Sequence, residues 1–282
     1  MRGNKGTSSN FNFLVRDSAK ITKTESPFSY SLGHLLFLPE RKDYLFLAYA
    51  YFRWLDDYVD QVNIPSELVK DIVDRQIFLA THWYSGEPLV ATTSQEENLH
   101  LIIQQDSNQW GNSLRPMIFD FMGAIKWDTE RRYRMPVKRD LQSYSLKLGR
   151  GYSSGLLFGL GIDPENKKYV GFRDNCGIGA HLVHILRDFI IDINIGYINV
   201  DLESWNLLHL KNADLDNTKL LQRRLLPWAK TVIVNARYYF SIGLKNLLAS
   251  RNVKIQLVFG LMCLRYLLTL EKTKREWERK FC

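Results

Sequence analysis

Apolar residues recur at three- and four-residue spacing along most of the chain, and proline and capping positions cut that pattern into segments. The eight prolines stand at 27, 39, 65, 88, 116, 136, 164 and 227, and most read as helix starts or connectors. Pro39 precedes a helical pattern over Glu40 to Gln61. Asn63-Ile64-Pro65-Ser66-Glu67 reads as a stop and a new start, with the next helix running to Ser85-Gly86. Ser94-Gln95-Glu96-Glu97 has the arrangement of a capping box. Pro116 opens a segment through Trp127. Asp140 to Leu160 is helix-like but carries Gly149, Gly151 and Gly155, each of which weakens a helix by roughly 1 kcal/mol relative to alanine. Asp163-Pro164 marks a turn before a long segment that reaches about Asn194. Leu220 to Leu248 is periodic, with Pro227 placed to kink it, and Asn252 to Lys280 reads as an amphipathic helix with a basic end. The evenly spaced alternation of a strand set is missing from the pattern. The expectation is one all-α domain of roughly ten helices over residues 25–282, preceded by a flexible segment at residues 1–24.

Composition agrees with a globular chain. With 282 residues, 45% of them hydrophobic and 24% charged, there is enough apolar surface for a large core, which sets aside disordered, collagenous and disulfide-scaffold classes. Cys176, Cys263 and Cys282 are too scattered for a disulfide framework or a zinc module and fit a reducing, cytoplasmic setting. No apolar stretch of the secretory kind follows the polar Met1 to Asn12. Ile255 to Leu270 is apolar, but it contains Arg265 and has charged flanks, so it reads as too short and too polar to span a bilayer; peripheral membrane association stays open. The net charge of +8 points to an anionic partner. Nucleic acid is a poor candidate, because no helix-turn-helix, zinc-finger or RNP-type signature accompanies the basic residues.

The acidic residues are more informative. Arg53-Trp54-Leu55-Asp56-Asp57-Tyr58-Val59-Asp60 sets three carboxylates at the end of an otherwise apolar run. Asp56 and Asp60 share one helical face, where like charges repel, so stability alone does not account for them. A divalent cation removes the penalty, and hard oxygen donors suit Mg²⁺ held by a few carboxylates, waters and substrate phosphates. Arg187-Asp188-Phe189-Ile190-Ile191-Asp192 repeats the arrangement near the end of a second apolar helix, Gly177 to Ile193. The expectation is that two such helices present their acidic faces to one another across a cavity. Their arginines would then grip phosphate oxygens, and the surrounding aromatic residues would suit an apolar tail.

These residues resemble a known family. Tyr49 to Asp60 is similar to the first aspartate-rich motif of squalene and phytoene synthases, and His184-Ile185-Leu186-Arg187-Asp188 through Asp192 is similar to the second. Phe28-Ser29-Tyr30, Leu38 to Arg41 and Arg265-Tyr266 support the resemblance, which spans about residues 25–275. It implies the all-α isoprenoid synthase fold, a helical bundle around a central cavity. It implies a Mg²⁺-dependent transferase that ionises a C15 or C20 prenyl diphosphate, releases pyrophosphate and joins two prenyl units head to head. Asp56, Asp57, Asp60, Asp188 and Asp192 would be metal ligands, Arg53 and Arg187 would lie near diphosphate, and Tyr49 and Tyr266 would face the carbocation.

The departures from the family pattern are specific. His181 and His184 stand where the family has glutamine and asparagine, and are read as substrate-binding residues lining a polar cavity rather than as transition-metal ligands with Asp188. After Asp192 the family's Arg-Ile-Tyr segment is replaced by Gly196-Tyr197-Ile198-Asn199-Val200. Glu25-Ser26-Pro27-Phe28 replaces a Ser-Lys/Arg-Ser-Phe motif. Asp128-Thr129-Glu130-Arg131-Arg132-Tyr133 reads equally as a match to the family's mid-chain region and as a solvated loop. Two alternatives therefore stay beside the head-to-head reading. One is a cyclase or a prenyltransferase to a non-prenyl acceptor; the other is a catalytically weak scaffold or assembly protein.

Overall fold

Pro27, Pro39 and Pro227 each stand in the first turn of a helix, where a missing N–H costs nothing. The computed structural model describes the backbone of residues 5–279, and side chains from residue 10 onward except at 216. Cys282 and Lys280, named above, lie outside the described residues. Among the described residues the chain is all-α: thirteen α-helices, a short 3₁₀ helix at Asn212–Asp216, and no strand. The helices are α1 (Lys5–Glu25), α2 (Pro27–Leu36), α3 (Pro39–Val59), α4 (Ser66–Tyr84), α5 (Ser94–Gln109), α6 (Arg115–Arg131) and α7 (Lys138–Gly159). They continue with α8 (Lys167–Arg187), α9 (Phe189–Asn194), α10 (Leu202–Leu207), α11 (Thr218–Arg224), α12 (Leu226–Ala249) and α13 (Val253–Arg279).

Two compact units divide the backbone: residues 1–125 with 154–165, and residues 126–153 with 166–282. In the first, α3 packs on α1 and α5, and α5 on α4. Its core holds Leu47, Tyr51 and Leu55 of α3 with Leu99, Ile102 and Ile103 of α5, all essentially inaccessible. The Leu38 to Arg41 run is tied to the end of α7: Leu38 N donates to Gly159 O (2.8 Å), and Arg41 donates to Phe158 O (3.0 Å) while lying over the Phe158 ring. A cation thus serves the unpaired carbonyls of a helix C-terminus.

In the second unit α8 is central, packed by α12 and α13, which also pack on each other. Small residues make this possible. A Cβ on Gly149 of α7 would lie 2.3 Å from the Gly177 carbonyl carbon of α8, and a Cβ on Gly243 of α12 would lie 2.4 Å from the Cys176 sulfur. The glycines that weaken α7 as an isolated helix are therefore a condition of its close packing. Cys176 and Cys263, on α8 and α13, are free thiols and both buried. Phe189, Trp228 and Trp277 form an aromatic cluster, and Trp277 Nε1 donates to Leu186 O at 3.2 Å.

Several local expectations change. Residues 5–24 are helical, with Leu14, Ser18 and Thr22 buried and α1 against α3. The α5 cap lies one residue earlier: Thr93 Oγ1 accepts from Glu96 N (3.2 Å). Glu96 turns inward to Arg75, Thr92 and Gln76 instead of back to the cap. Pro227 begins α12 after a break at Leu225 instead of kinking one helix, because its nitrogen has no hydrogen to give the preceding turn. The segment to Asn194 is likewise two helices, α8 and α9, meeting at Asp188 (φ −93°, ψ 1°). By length and composition α13 is long and apolar enough to cross a membrane, contrary to the shorter sequence reading, and one of its faces is buried within the second unit.

Candidate active site

The first acidic group lies on the last turns of α3. Asp60 N still donates to Asp56 O (2.9 Å), so the four-residue spacing remains helical and both carboxylates share a face. Arg53 donates to both oxygens of Asp57 and stands 3.9 Å from Asp56. Burial lowers the Arg53 pKa, but the Asp57 and Asp56 charges outweigh it and raise it overall. Tyr49 sits one turn earlier on the Arg53 face, half-buried. Asp56 and Asp57 are about half exposed. Arg53 is thus matched chiefly to Asp57 and also ion-pairs with Asp56.

The second group lies where α8 meets α9. Asp188 N donates to His184 O and Asp192 N to Asp188 O, each at 2.9 Å, so the spacing survives the helix break. Arg187 donates Nε to Asp188 Oδ1 (2.7 Å) and Nη2 to Oδ2 (2.6 Å). Burial pushes the Asp188 carboxyl up, but the two hydrogen bonds and the charge of Arg187 work against it and the carboxyl lies below its ordinary range, so it is anionic at neutral pH. Arg187 Nη2 also lies 2.7 Å from His184 Nδ1, and His184 Nε2 lies 3.0 Å from the Tyr266 hydroxyl. A guanidinium only donates, so Nδ1 is the acceptor and Nε2–H faces Tyr266. The neutral imidazole this requires agrees with a His184 pKa lowered by burial, with Arg187 and Arg265 contributing.

His181, one turn earlier, has its pKa pushed well down, chiefly by burial, with the Arg131 charge adding to it. Its Nδ1 is buried without a hydrogen-bond partner, and its ring meets Tyr144 edge-on at 5.0 Å. Both nitrogens of His184 are engaged, and among the described residues no three His, Cys, Asp or Glu side chains converge as a metal-binding group. Tyr266 is buried, stands edge-on to Tyr152 at 6.5 Å, and has its hydroxyl pKa raised by burial.

A third set of residues has little sequence signal. Asp192 Oδ2 accepts from Asn199 Nδ2 (2.8 Å), and Asn199 Oδ1 accepts from Arg131 Nη2 (2.8 Å). Arg131 Nε donates to Asp128 Oδ1 (2.9 Å), whose other oxygen accepts from the Tyr144 hydroxyl (2.7 Å). Arg131 also lies over Trp127 at 4.2 Å and near the rings of Tyr144 and Tyr197. The stretch from Asp128 to Arg131 is the last turn of α6, with Arg131 buried, and not a solvated loop. Burial raises the Asp128 pKa, against the opposing pull of Arg131 and Tyr144. The segment after Asp192 delivers Asn199 through a turn at Gly196 (φ +94°), where a Cβ would lie 2.5 Å from the Tyr133 ring. Only glycine meets both conditions. The charged stretch Asp128 to Tyr133 was the available hint in the sequence; Asn199 offered none.

No family model and no curated protein matches the sequence. Solved structures do match. Squalene synthase HpnC from Alicyclobacillus acidocaldarius superposes with a TM-score of 0.68 at 15% identity, covering 95% of both chains. A dehydrosqualene synthase crystallised with a ligand superposes with a TM-score of 0.56 at 16% identity, covering 96% of this chain and 99% of that one. The resemblance first carried by two short acidic motifs is thus matched over nearly the whole backbone, and the chain has the all-α isoprenoid synthase fold of the squalene synthases.

Proposed function

We propose that the chain is a prenyl-transferring enzyme that ionises a C15 or C20 prenyl diphosphate and joins two such units head to head with release of pyrophosphate. The observation that supports this is the repeated Arg and Asp-x-x-x-Asp arrangement, at Arg53, Asp56 and Asp60 and at Arg187, Asp188 and Asp192, in a chain with the squalene synthase fold. Asp56 and Asp60 are the pair suited to Mg²⁺. Asp188 and Asp192 keep acceptor capacity beside Arg187 and Asn199, since a carboxylate offers about four lone-pair sites. Mg²⁺ bound there supplies charge neutralisation and Lewis acidity toward the departing diphosphate. Arg53 and Arg187 offer guanidinium donors to phosphate oxygens. Neutral His184, holding the Tyr266 hydroxyl, keeps the tyrosine ring free to face a cation without adding positive charge beside it.

A second reading keeps the same ionisation with a single prenyl donor, ending in cyclisation or transfer to a non-prenyl acceptor. It is favoured by the segment after Asp192, where Tyr197 to Val200 contains no arginine. Incubation with farnesyl or geranylgeranyl diphosphate and Mg²⁺, following pyrophosphate release and product mass, tests both. A product with twice the donor carbon number is expected. One with the same number selects the cyclase, and turnover only with an added nucleophile selects the transferase. Absence of release with every donor, or release unaffected by Asp56→Ala and Asp188→Ala, rejects the proposal. A stable protein partner without turnover would point instead to a scaffold.

A further inference from the structure

The basic excess is not evenly spread. Residues 218–279 hold thirteen Lys and Arg against three Glu, and no carboxylate at all occurs from Thr218 to Leu270. Residues 1–217 are by contrast slightly acidic, with 24 Lys and Arg against 27 Asp and Glu. The cationic character of the chain therefore resides in α11, α12 and α13.

The same helices carry an exposed apolar face. Between Lys254 and Lys272, every exposed residue of α13 is a leucine: Leu257, Leu261, Leu264 and Leu268, 39–63% exposed. Their spacing of four, three and four keeps them on one side of the helix, and Val253 extends the row to about 22 Å. Gly260, within the row, has open space where a Cβ would be. Val234, Tyr238 and Leu248 of the adjoining α12 are also exposed. Exposed cations bracket the row, with Lys245, Arg251 and Lys254 at one end and Lys272, Arg275 and Arg279 at the other.

We propose that this α12–α13 face docks on an anionic lipid surface, with the leucine row in the acyl boundary and the flanking cations at the headgroup phosphates. An apolar stripe bordered by Lys and Arg is the arrangement by which a helix lies in a membrane interface, immersed by roughly 5–10 Å. Each nearby cation adds attraction to an anionic leaflet. The helix lies on the membrane and does not cross it, because its opposite face, including Ile255, Phe259, Met262, Tyr266 and Leu270, is buried within the second unit. The inference stands on this surface and is independent of the proposed reaction.

Vesicle flotation tests it with the full-length chain. Co-flotation is expected with vesicles of phosphatidylcholine containing about 30% phosphatidylglycerol and not with phosphatidylcholine alone, weakening as salt is raised through several tenths molar. Leu261→Glu with Leu264→Glu should abolish it while the melting temperature stays near that of the parent. Lys254→Gln and Lys272→Gln should each weaken it about fivefold. Leu35→Glu, at an exposed leucine on α2, should leave it unchanged. Absence of flotation by the parent chain, or equal flotation by the Leu261→Glu/Leu264→Glu variant, overturns the proposal. A dimer in light scattering that the same variant dissociates, without vesicle binding, overturns it in favour of a second copy.

Discussion

At the scale of single residues, the four aspartates were visible because they break an apolar pattern twice in the same way, and a charge in such a place needs a reason. Asp128 and Arg131 stood out only within a charged stretch that read equally as a loop, and Asn199 did not stand out, because its partner Arg131 lies 68 positions away in sequence. Breaking that set should be costly. Arg131→Met leaves Asp128 buried without its cation, so a loss of about 3 kcal/mol is expected in urea unfolding, with partial recovery on adding Asp128→Asn. Glu96 shows the same hidden quality with a pH signature. Burial pushes its carboxyl up, but hydrogen bonds from Arg75, Thr92 and Gln76 outweigh that and hold it at about 2. Its pKa is lower folded than unfolded, so its contribution is complete above about pH 4.3 and disappears as pH falls toward 2. Unfolding free energies of parent and Glu96→Gln should therefore differ by about 3 kcal/mol near pH 7 and converge between pH 4 and pH 2.

At the scale of elements, the hydrophobic period located α3, α4 and α7 within a few residues, because periodicity and proline act locally. The breaks at Asp188 and Leu225 were not legible, since apolar residues continue at helical spacing through both. The glycines teach the same lesson. Gly149, Gly155 and Gly260 each count against a helix by propensity, yet each has different surroundings. Gly149→Ala would drive a methyl into the α8 backbone, and a melting temperature lower by about 6 °C is expected. Gly260→Ala meets nothing and replaces a poor helix former with the best, so a rise of about 2 °C is expected in the same measurement. No single-sequence propensity separates these two outcomes.

At the scale of the whole molecule, fold class was legible from the lack of alternating segments and from the order and separation of two motifs, although identity to the matched structures is only 15–16%. That combination means the backbone is kept while most side chains differ, so ligand recognition has to be tested directly. If the aspartates bind Mg²⁺ and diphosphate together, Mg²⁺ with inorganic pyrophosphate should raise the melting temperature by about 4 °C near a hundredfold excess over the dissociation constant. Neither component alone should do so, and Asp56→Ala with Asp188→Ala should remove the shift.

The paired thiols of α8 and α13 give the second unit an internal clock. Cys176 and Cys263 are inaccessible, and the neighbouring Cys263 thiol together with burial raises the Cys176 thiol well above its ordinary range. Neither can react with a disulfide reagent until the helices part, so in a Cys282→Ser background the labelling rate at high reagent concentration measures the opening rate of that interface. Gly149→Ala should speed this labelling and Leu261→Glu should not, separating damage to the packed layer from change confined to its outer skin.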